Sequence, residues 1–206
     1  MAEVAVSALD GRSQQLVENA RAALERGNVG YALEACAEVL SAAPGCVAAR
    51  RLQRIAQLKR FRHRNRLLAK MAGGWRWVSF SLRRRKWRLD EQWSAAEKWI
   101  AVDPTSPAAL TWLGEVALER EMPETAVFAF EAARELRPED TENLVALGEA
   151  WLAAGRATEA VGCADVVLAR QPAHAGAQAL MRMAAIAQTL AEGRWEERTS
   201  FREKLR

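Results

Sequence analysis

Pro104, Pro138 and Pro172 stand 34 residues apart, and each closes an apolar run of helical composition: "AAEKWIAVDP", "AFEAARELRP" and "CADVVLARQP". A fixed period of this length marks a supersecondary unit that recurs, and it constrains the fold before any local propensity is weighed. Stepping back from Pro138 and Pro172, Leu110 pairs with Leu144, Leu113 with Leu147, Gly114 with Gly148, Ala126 with Ala160 and Ala133 with Val167. Gly155 falls where Glu121 stands. The same spacing fits 13–46, where Leu16, Ala20, Ala23, Gly27, Ala32, Cys36, Val39 and Pro44 take the matching places. Small residues at recurring positions suit helices that approach closely. Each proline ends the helical run before it, since it donates no backbone hydrogen bond and disfavours helical geometry in the residue before it.

These residues resemble the tetratricopeptide repeat (TPR), strongly over 107–140 and 141–174, well over 13–46 and partially over 89–106. The resemblance implies an all-α fold, a right-handed α-solenoid of helix-turn-helix repeats with a basic insertion in the second. Asn19 at a usually apolar place and Glu121 in place of the loop glycine depart from the pattern. Composition agrees: Ala, Leu, Glu and Arg favour helix, and strictly alternating β-branched runs are scarce. The expected organisation is a single domain over 1–206. It comprises repeat 1 at 13–46, repeat 2 at 47–106, repeat 3 at 107–140 and repeat 4 at 141–174, then a capping helix at 175–192 and a polar tail at 193–206. One repeat cannot bury its own apolar face, so neighbours must stack.

Pro44 to Pro104 spans 60 residues, one period plus 26, so repeat 2 carries an insertion at about 61–88. Its first helix is expected from Val47, with Leu52, Ile55, Leu58 and Phe61 along one face, and Gly73-Gly74 as its stop. Its second helix is expected near Leu89, with Trp93, Ala96, Trp99 and Ile100 inward. Charge singles out the same region. Residues 47–89 hold 15 Lys or Arg and no acidic residue, whereas 1–46 carry a net −3 and 90–206 a net −8. The segment "GGWRWVSFSLRRRKWRL" adds three Trp to six of those cations. The candidate basic patch is Arg60, Arg62, Arg64, Arg66, Lys70, Trp75, Arg76, Trp77, Arg83, Arg84, Arg85, Lys86 and Arg88.

Three readings of this patch compete. It docks on an acidic surface of this chain, of another copy or of a partner. It lies on an anionic membrane, with Trp rings at headgroup level and Val78, Phe80 and Leu82 supplying apolar depth. Or it holds nucleic acid through phosphates and stacked bases, a reading that ranks lower because no nucleic-acid-binding motif accompanies it.

Catalytic signatures are scarce. His63 and His174 lack metal-ligand spacing and are expected at the surface, and no phosphate loop or GxSxG occurs. No cofactor or metal is expected, and the protein is expected not to be an enzyme. Cys36, Cys46 and Cys163 lack CxxC spacing and read as buried, reduced thiols. No secretory signal and no run of about 20 apolar residues is visible, so the expectation is a soluble cytoplasmic protein, peripheral to the inner membrane face if the insertion binds lipid.

The TPR resemblance implies a scaffold or adaptor with a concave groove for a protein or peptide. By family pattern the groove residues are Val17, Glu18, Arg21 and Glu25 in repeat 1, Trp112, Glu115 and Glu119 in repeat 3, and Glu142, Val145 and Glu149 in repeat 4. The basic clamp by which some TPR proteins hold acidic chaperone tails is absent, since Val17, Arg21, Ala146 and Glu142 stand in the comparable places. A basic or apolar segment fits this groove better. Homo-oligomerisation is a further option. Similar two-helix arrays with a basic insertion resemble uncharacterised bacterial TPR proteins.

Overall fold

The computed structural model describes residues 3–62 and 88–203, with side chains as far as 191. A short 3-10 turn at Val6–Ala8 precedes α1 (Gly11–Glu25), α2 (Val29–Ala42) and α3 (Val47–Arg62). Then come α4 (Leu89–Val102), α5 (Pro107–Glu119), α6 (Pro123–Leu136), α7 (Thr141–Ala153), α8 (Ala157–Arg170) and α9 (Ala175–Glu203). The described residues are all helix and connection, in helix-turn-helix hairpins of the TPR type. Two compact units divide them, Met1–Pro138 and Glu139–Arg206.

Local chemistry sets the helix ends. Asp10, Asn28, Ser106 and Asp140 each accept, through a side-chain oxygen, a backbone N–H in the first turn of α1, α2, α5 and α7. Pro107 and Pro123 open α5 and α6, where a missing N–H costs nothing. The α6 start has a long-range cap as well: the Glu3 carboxylate accepts from the backbone N–H of Glu124 at 3.0 Å and of Thr125 at 2.5 Å.

The turns joining α1 to α2, α5 to α6 and α7 to α8 are tight. Gly27 and Gly155 adopt φ of 77°, and Glu121, at the equivalent place, is held at 58°. A non-glycine residue there strains against its own Cβ by about 1–2 kcal/mol, while glycine costs about 0.5–1 kcal/mol in backbone entropy. Glu121→Gly is therefore expected to stabilise the first unit by about 0.5 kcal/mol, read as a higher urea midpoint at unchanged slope.

In the first unit α1 packs on α2, α2 on α3, α4 on α5 and α5 on α6, while α3 also meets α6. The α1–α3 core gathers Val17, Ala20, Ala32, Cys36, Val39 and Ala49. The α4–α6 core gathers Trp93, Ala96, Trp99, Ile100, Leu110, Leu113 and Phe130. Gly114 lies under Phe130, whose ring atoms would sit 2.7 Å from a Cβ placed there. In the second unit α8 packs on α7, and α9 on both. Leu144, Leu147, Ala160, Val167 and Leu180 form its centre.

Cys36, Cys46 and Cys163 are buried thiols outside any disulfide. Burial pushes the Cys36 thiol up to about 11, with Cys46 nearby adding to it.

Two expectations change. The face Leu52, Ile55, Leu58 and Phe61 does not form: Phe61 is buried, Leu52 and Leu58 are half-buried, and Ile55 is 46% exposed. Four residues at a spacing of three drift half-way round a helix with 3.6 residues per turn. The buried residues of α3 are instead Ala49, Arg50, Arg54, Ala56 and Phe61. The other change concerns the last helix. A solvating cap calls for a polar outer face, yet Met183, Ile186 and Leu190 of α9 are 46%, 61% and 58% exposed.

Candidate functional site

The sequence-derived groove residues fall in both units, and they divide by burial. In the first unit, Val17 on α1 is buried against Val39, Leu40, Cys46 and Ala49. Trp112 on α5 is 3% exposed, edge-on to Trp99 at 6.4 Å between ring centroids, with its Nε1–H donating to Gln92 Oε1 at 3.5 Å. Glu18, Arg21, Glu25 and Glu119 are exposed and Glu115 is half-buried. Arg21 pairs with Glu18 at 3.3 Å on the α1 surface. Trp112, expected in the groove, is therefore core packing. Trp99, one period before Ala133 and two before Val167, brings a far larger side chain to that place, and Trp112 packs edge-on against it.

In the second unit Glu142 and Glu149 are exposed on α7, two turns apart on one face, and Val145 between them is 7% exposed against Leu144, Val167 and Ala177. Glu142 is not idle. The ring of His174 caps α9, its Nδ1 accepting from the Ala177 N–H at 3.2 Å, while its Nε2 lies 3.2 Å from Glu142 Oε1. In the neutral ring this fixes the proton on Nε2, which donates to the carboxylate. The expectation of a surface His174 is corrected by this cap: its side chain is 14% exposed.

Of the basic patch, Arg60 and Arg62 at the end of α3 and Arg88 before α4 are described, and all three are exposed. Arg64, Arg66, Lys70, Trp75, Arg76, Trp77, Arg83, Arg84, Arg85 and Lys86 lie outside the described residues, as does His63.

What sequence reasoning missed is the inward side of α3. Arg50 is 3% exposed and Arg54 8%. Arg50 donates through Nε to the Pro44 carbonyl at 2.9 Å and through Nη2 to Glu97 Oε1 at 3.0 Å, with its guanidinium 4.6 Å from the Trp93 ring centroid. Arg120 lies over the same indole at 4.8 Å and pairs with Asp90 at 3.2 Å. Arg54 donates to the carbonyls of Pro104 at 3.1 Å and Ala132 at 3.3 Å, and its Nη2 is 3.7 Å from Glu135. Burial lowers both arginine pKa values, with Glu97 and Glu135 respectively opposing the shift. A guanidinium nevertheless stays charged. The four-residue spacing of Arg50 and Arg54, matched by that of Trp93 and Glu97 on α4, was the available signal.

Arg50 and Arg54, with Glu97 and Lys98 of α4, border a cavity of about 270 Å³ between α3, α4, α5 and α6. Among the described residues no group of His, Cys, Asp and Glu could hold a metal ion, and no helix is long and apolar enough to cross a membrane.

Comparison with known proteins bears on the repeat. Residues 117–184 match the sequence model of a tetratricopeptide repeat family. No curated protein matches the chain by sequence. Among solved structures, the TPR domain of P58(IPK) is 11% identical at a TM-score of 0.50, covering 90% of this chain and 49% of that one. A tetratricopeptide repeat protein from Parabacteroides merdae is 13% identical at 0.49, covering 88% and 62%. The first TPR of Spaghetti (RPAP3), solved bound to an HSP90 peptide, is 22% identical at 0.48, covering 61% and 92%. At such identities the likeness concerns fold alone. The match spans hairpin geometry that both units display, with Gly148 at a close approach within it, and residues 117–184 are similar to the tetratricopeptide repeat family.

Proposed function

We propose that the protein is a non-catalytic interaction scaffold that holds a basic or apolar segment of a protein partner against an acidic helix face. The observation that carries this reading is the pattern of exposure on the first helices of the hairpins. Glu119 on α5 and Glu142 and Glu149 on α7 face solvent, while the apolar residues interleaved with them, Trp112 and Val145, are committed to the core. Recognition there rests on charge more than on an aromatic pocket, which favours a cationic partner. Selection of random 12-residue peptides on the full chain is the test. Enriched peptides are expected to carry Lys or Arg with apolar residues, and to bind at least tenfold more weakly to one of two single variants, Glu119→Lys or Glu149→Lys. Enrichment of acidic peptides, or indifference to the charge reversal, overturns the reading.

The basic segment supplies attachment in this proposal. Arg60, Arg62 and Arg88, which bracket it, are all exposed, and cations near an anionic leaflet contribute about 1 kcal/mol each. Sedimentation with phosphatidylserine-containing vesicles is expected, and little with phosphatidylcholine alone, with loss on changing Arg83–Lys86 to Gln. Equal sedimentation with both lipids counts against it. Steeply salt-dependent binding to arbitrary DNA without vesicle binding would favour the nucleic-acid alternative.

A further inference from the structure

The cavity of the first unit has a polar side and an apolar side. Its charged lining is Arg50 and Arg54 of α3 with Glu97 and Lys98 of α4. Its apolar wall is Ile100 at the end of α4, Leu110 and Leu113 of α5, and Phe128 of α6. The volume of about 270 Å³ lies just below the range of about 300–1,000 Å³ usual for small-molecule sites.

We propose that this cavity binds a small amphipathic carboxylate, its head toward Arg54 and Lys98 and its hydrocarbon body against Leu110, Leu113 and Phe128. Three cations face one carboxylate in the lining, and that carboxylate, Glu97, is committed to Arg50 at 3.0 Å. Arg54 is the less compensated of the buried pair. Two of its N–H groups go to neutral carbonyls, and Glu135, at 3.7 Å, is itself 71% exposed. A buried cation held mainly by dipoles gains from a full negative charge brought into the same enclosure. The planar fork of a guanidinium matches the two oxygens of a carboxylate. A hydrated inorganic anion would leave the apolar wall unused, and a neutral hydrocarbon would leave the charge excess unanswered. Lys98 is exposed at the rim, where it can meet the head group without a desolvation cost of its own.

The proposal concerns a site distinct from the acidic helix faces, so it stands or falls separately from the scaffold reading. Its test compares octanoate, below its micellar range, with octanol and octylamine on the full chain, by displacement of anilinonaphthalene sulfonate fluorescence and by amide resonance shifts. Octanoate is expected to bind saturably, at least tenfold more tightly than octanol, and to move the resonances of Leu110, Leu113 and Phe128. Lys98→Glu, a surface change that spares the core, is expected to weaken octanoate at least fivefold and leave octanol unchanged. Equal affinity for octanoate and octanol, perturbations confined to other helices, no saturable binding, or indifference to Lys98→Glu would each overturn it.

Discussion

Arg50→Ala is expected to destabilise the first unit by about 3 kcal/mol, whereas Arg51→Ala, one residue away, should change stability by less than about 0.5 kcal/mol. Arg51 is exposed, and its removal deletes only a solvated charge. Arg50 makes three distinct contacts from a nearly closed site. Its hydrogen bond to the Pro44 carbonyl is neutral at the acceptor and worth about 1 kcal/mol net. Its stacking on Trp93, largely desolvated, contributes about 1–2 kcal/mol. The pair with Glu97 adds less than its short distance suggests, because the Glu97 side chain is 39% exposed and stays hydrated without its partner. The remainder is the volume vacated beneath Trp93. Arg50→Met separates charge from packing. Methionine refills most of that volume and removes the buried charge, and such replacements are often neutral, so its cost should be about half that of alanine or less. Urea unfolding of the three variants, with amide exchange in α3 and α4 to localise the effect, checks the ordering. A loss at Arg51→Ala equal to that at Arg50→Ala would remove the distinction on which this account of α3 rests.

That distinction also marks how far the sequence could be read. The 34-residue spacing of Pro104, Pro138 and Pro172 was legible because each repeat has the same steric problem and answers it with the same residue types. Inward packing of Trp93, Ala96, Trp99 and Ile100 was legible for a similar reason, since helical spacing alone aligns them. The sign of a charge says nothing about burial, so Arg50 and Arg54 were counted in the net charge of 47–89 and given no place of their own. What buries Arg50 is Trp93 and Glu97, far along the chain on α4, and no window around Arg50 contains them. The groove failed in part for a related reason. A repeat template gives a position on a helix but not the bulk of the neighbour facing it. Trp99 turned Trp112 into core, and Leu144, Val167 and Ala177 did the same to Val145. Glu18, Glu25, Glu119, Glu142 and Glu149 kept their exposure, Glu142 beside His174, while Glu115 is half-buried. The left-handed turn at Glu121 was visible only as a missing glycine, and the backbone there takes the glycine conformation regardless.

Gly148→Leu sets two effects of opposite sign against each other in the second unit, and their sizes decide the outcome. Glycine inside a helix is worse than leucine by roughly 0.8–1 kcal/mol, so propensity alone would make the substitution stabilising. Packing opposes it. A Cβ at Gly148 would lie 2.2 Å from Leu180 Cδ2 and 3.2 Å from Cys163 Cβ. The leucine methyl can swing, but Leu180 is fully buried, and Cys163 Cβ is rigidly attached to the α8 backbone. Leucine would then place three more carbons in the same gap, forcing α8 and α9 from α7. Overpacking of this kind costs about 1–3 kcal/mol and more where backbones must part, so the net loss should be about 2–3 kcal/mol. Gly162→Ala in α8 supplies the internal standard. Gly162 is exposed with nothing within 4 Å of its would-be Cβ, so propensity acts unopposed there and stability should rise by about 0.8–1 kcal/mol. Calorimetry of both variants, with amide exchange in α7–α9 reporting the second unit by itself, reads the two signs in one experiment. If Gly148→Leu proved as stabilising as Gly162→Ala, the close approach of α7 to α8 and α9 would be wrong, and with it the small-residue register that pairs Gly114 with Gly148.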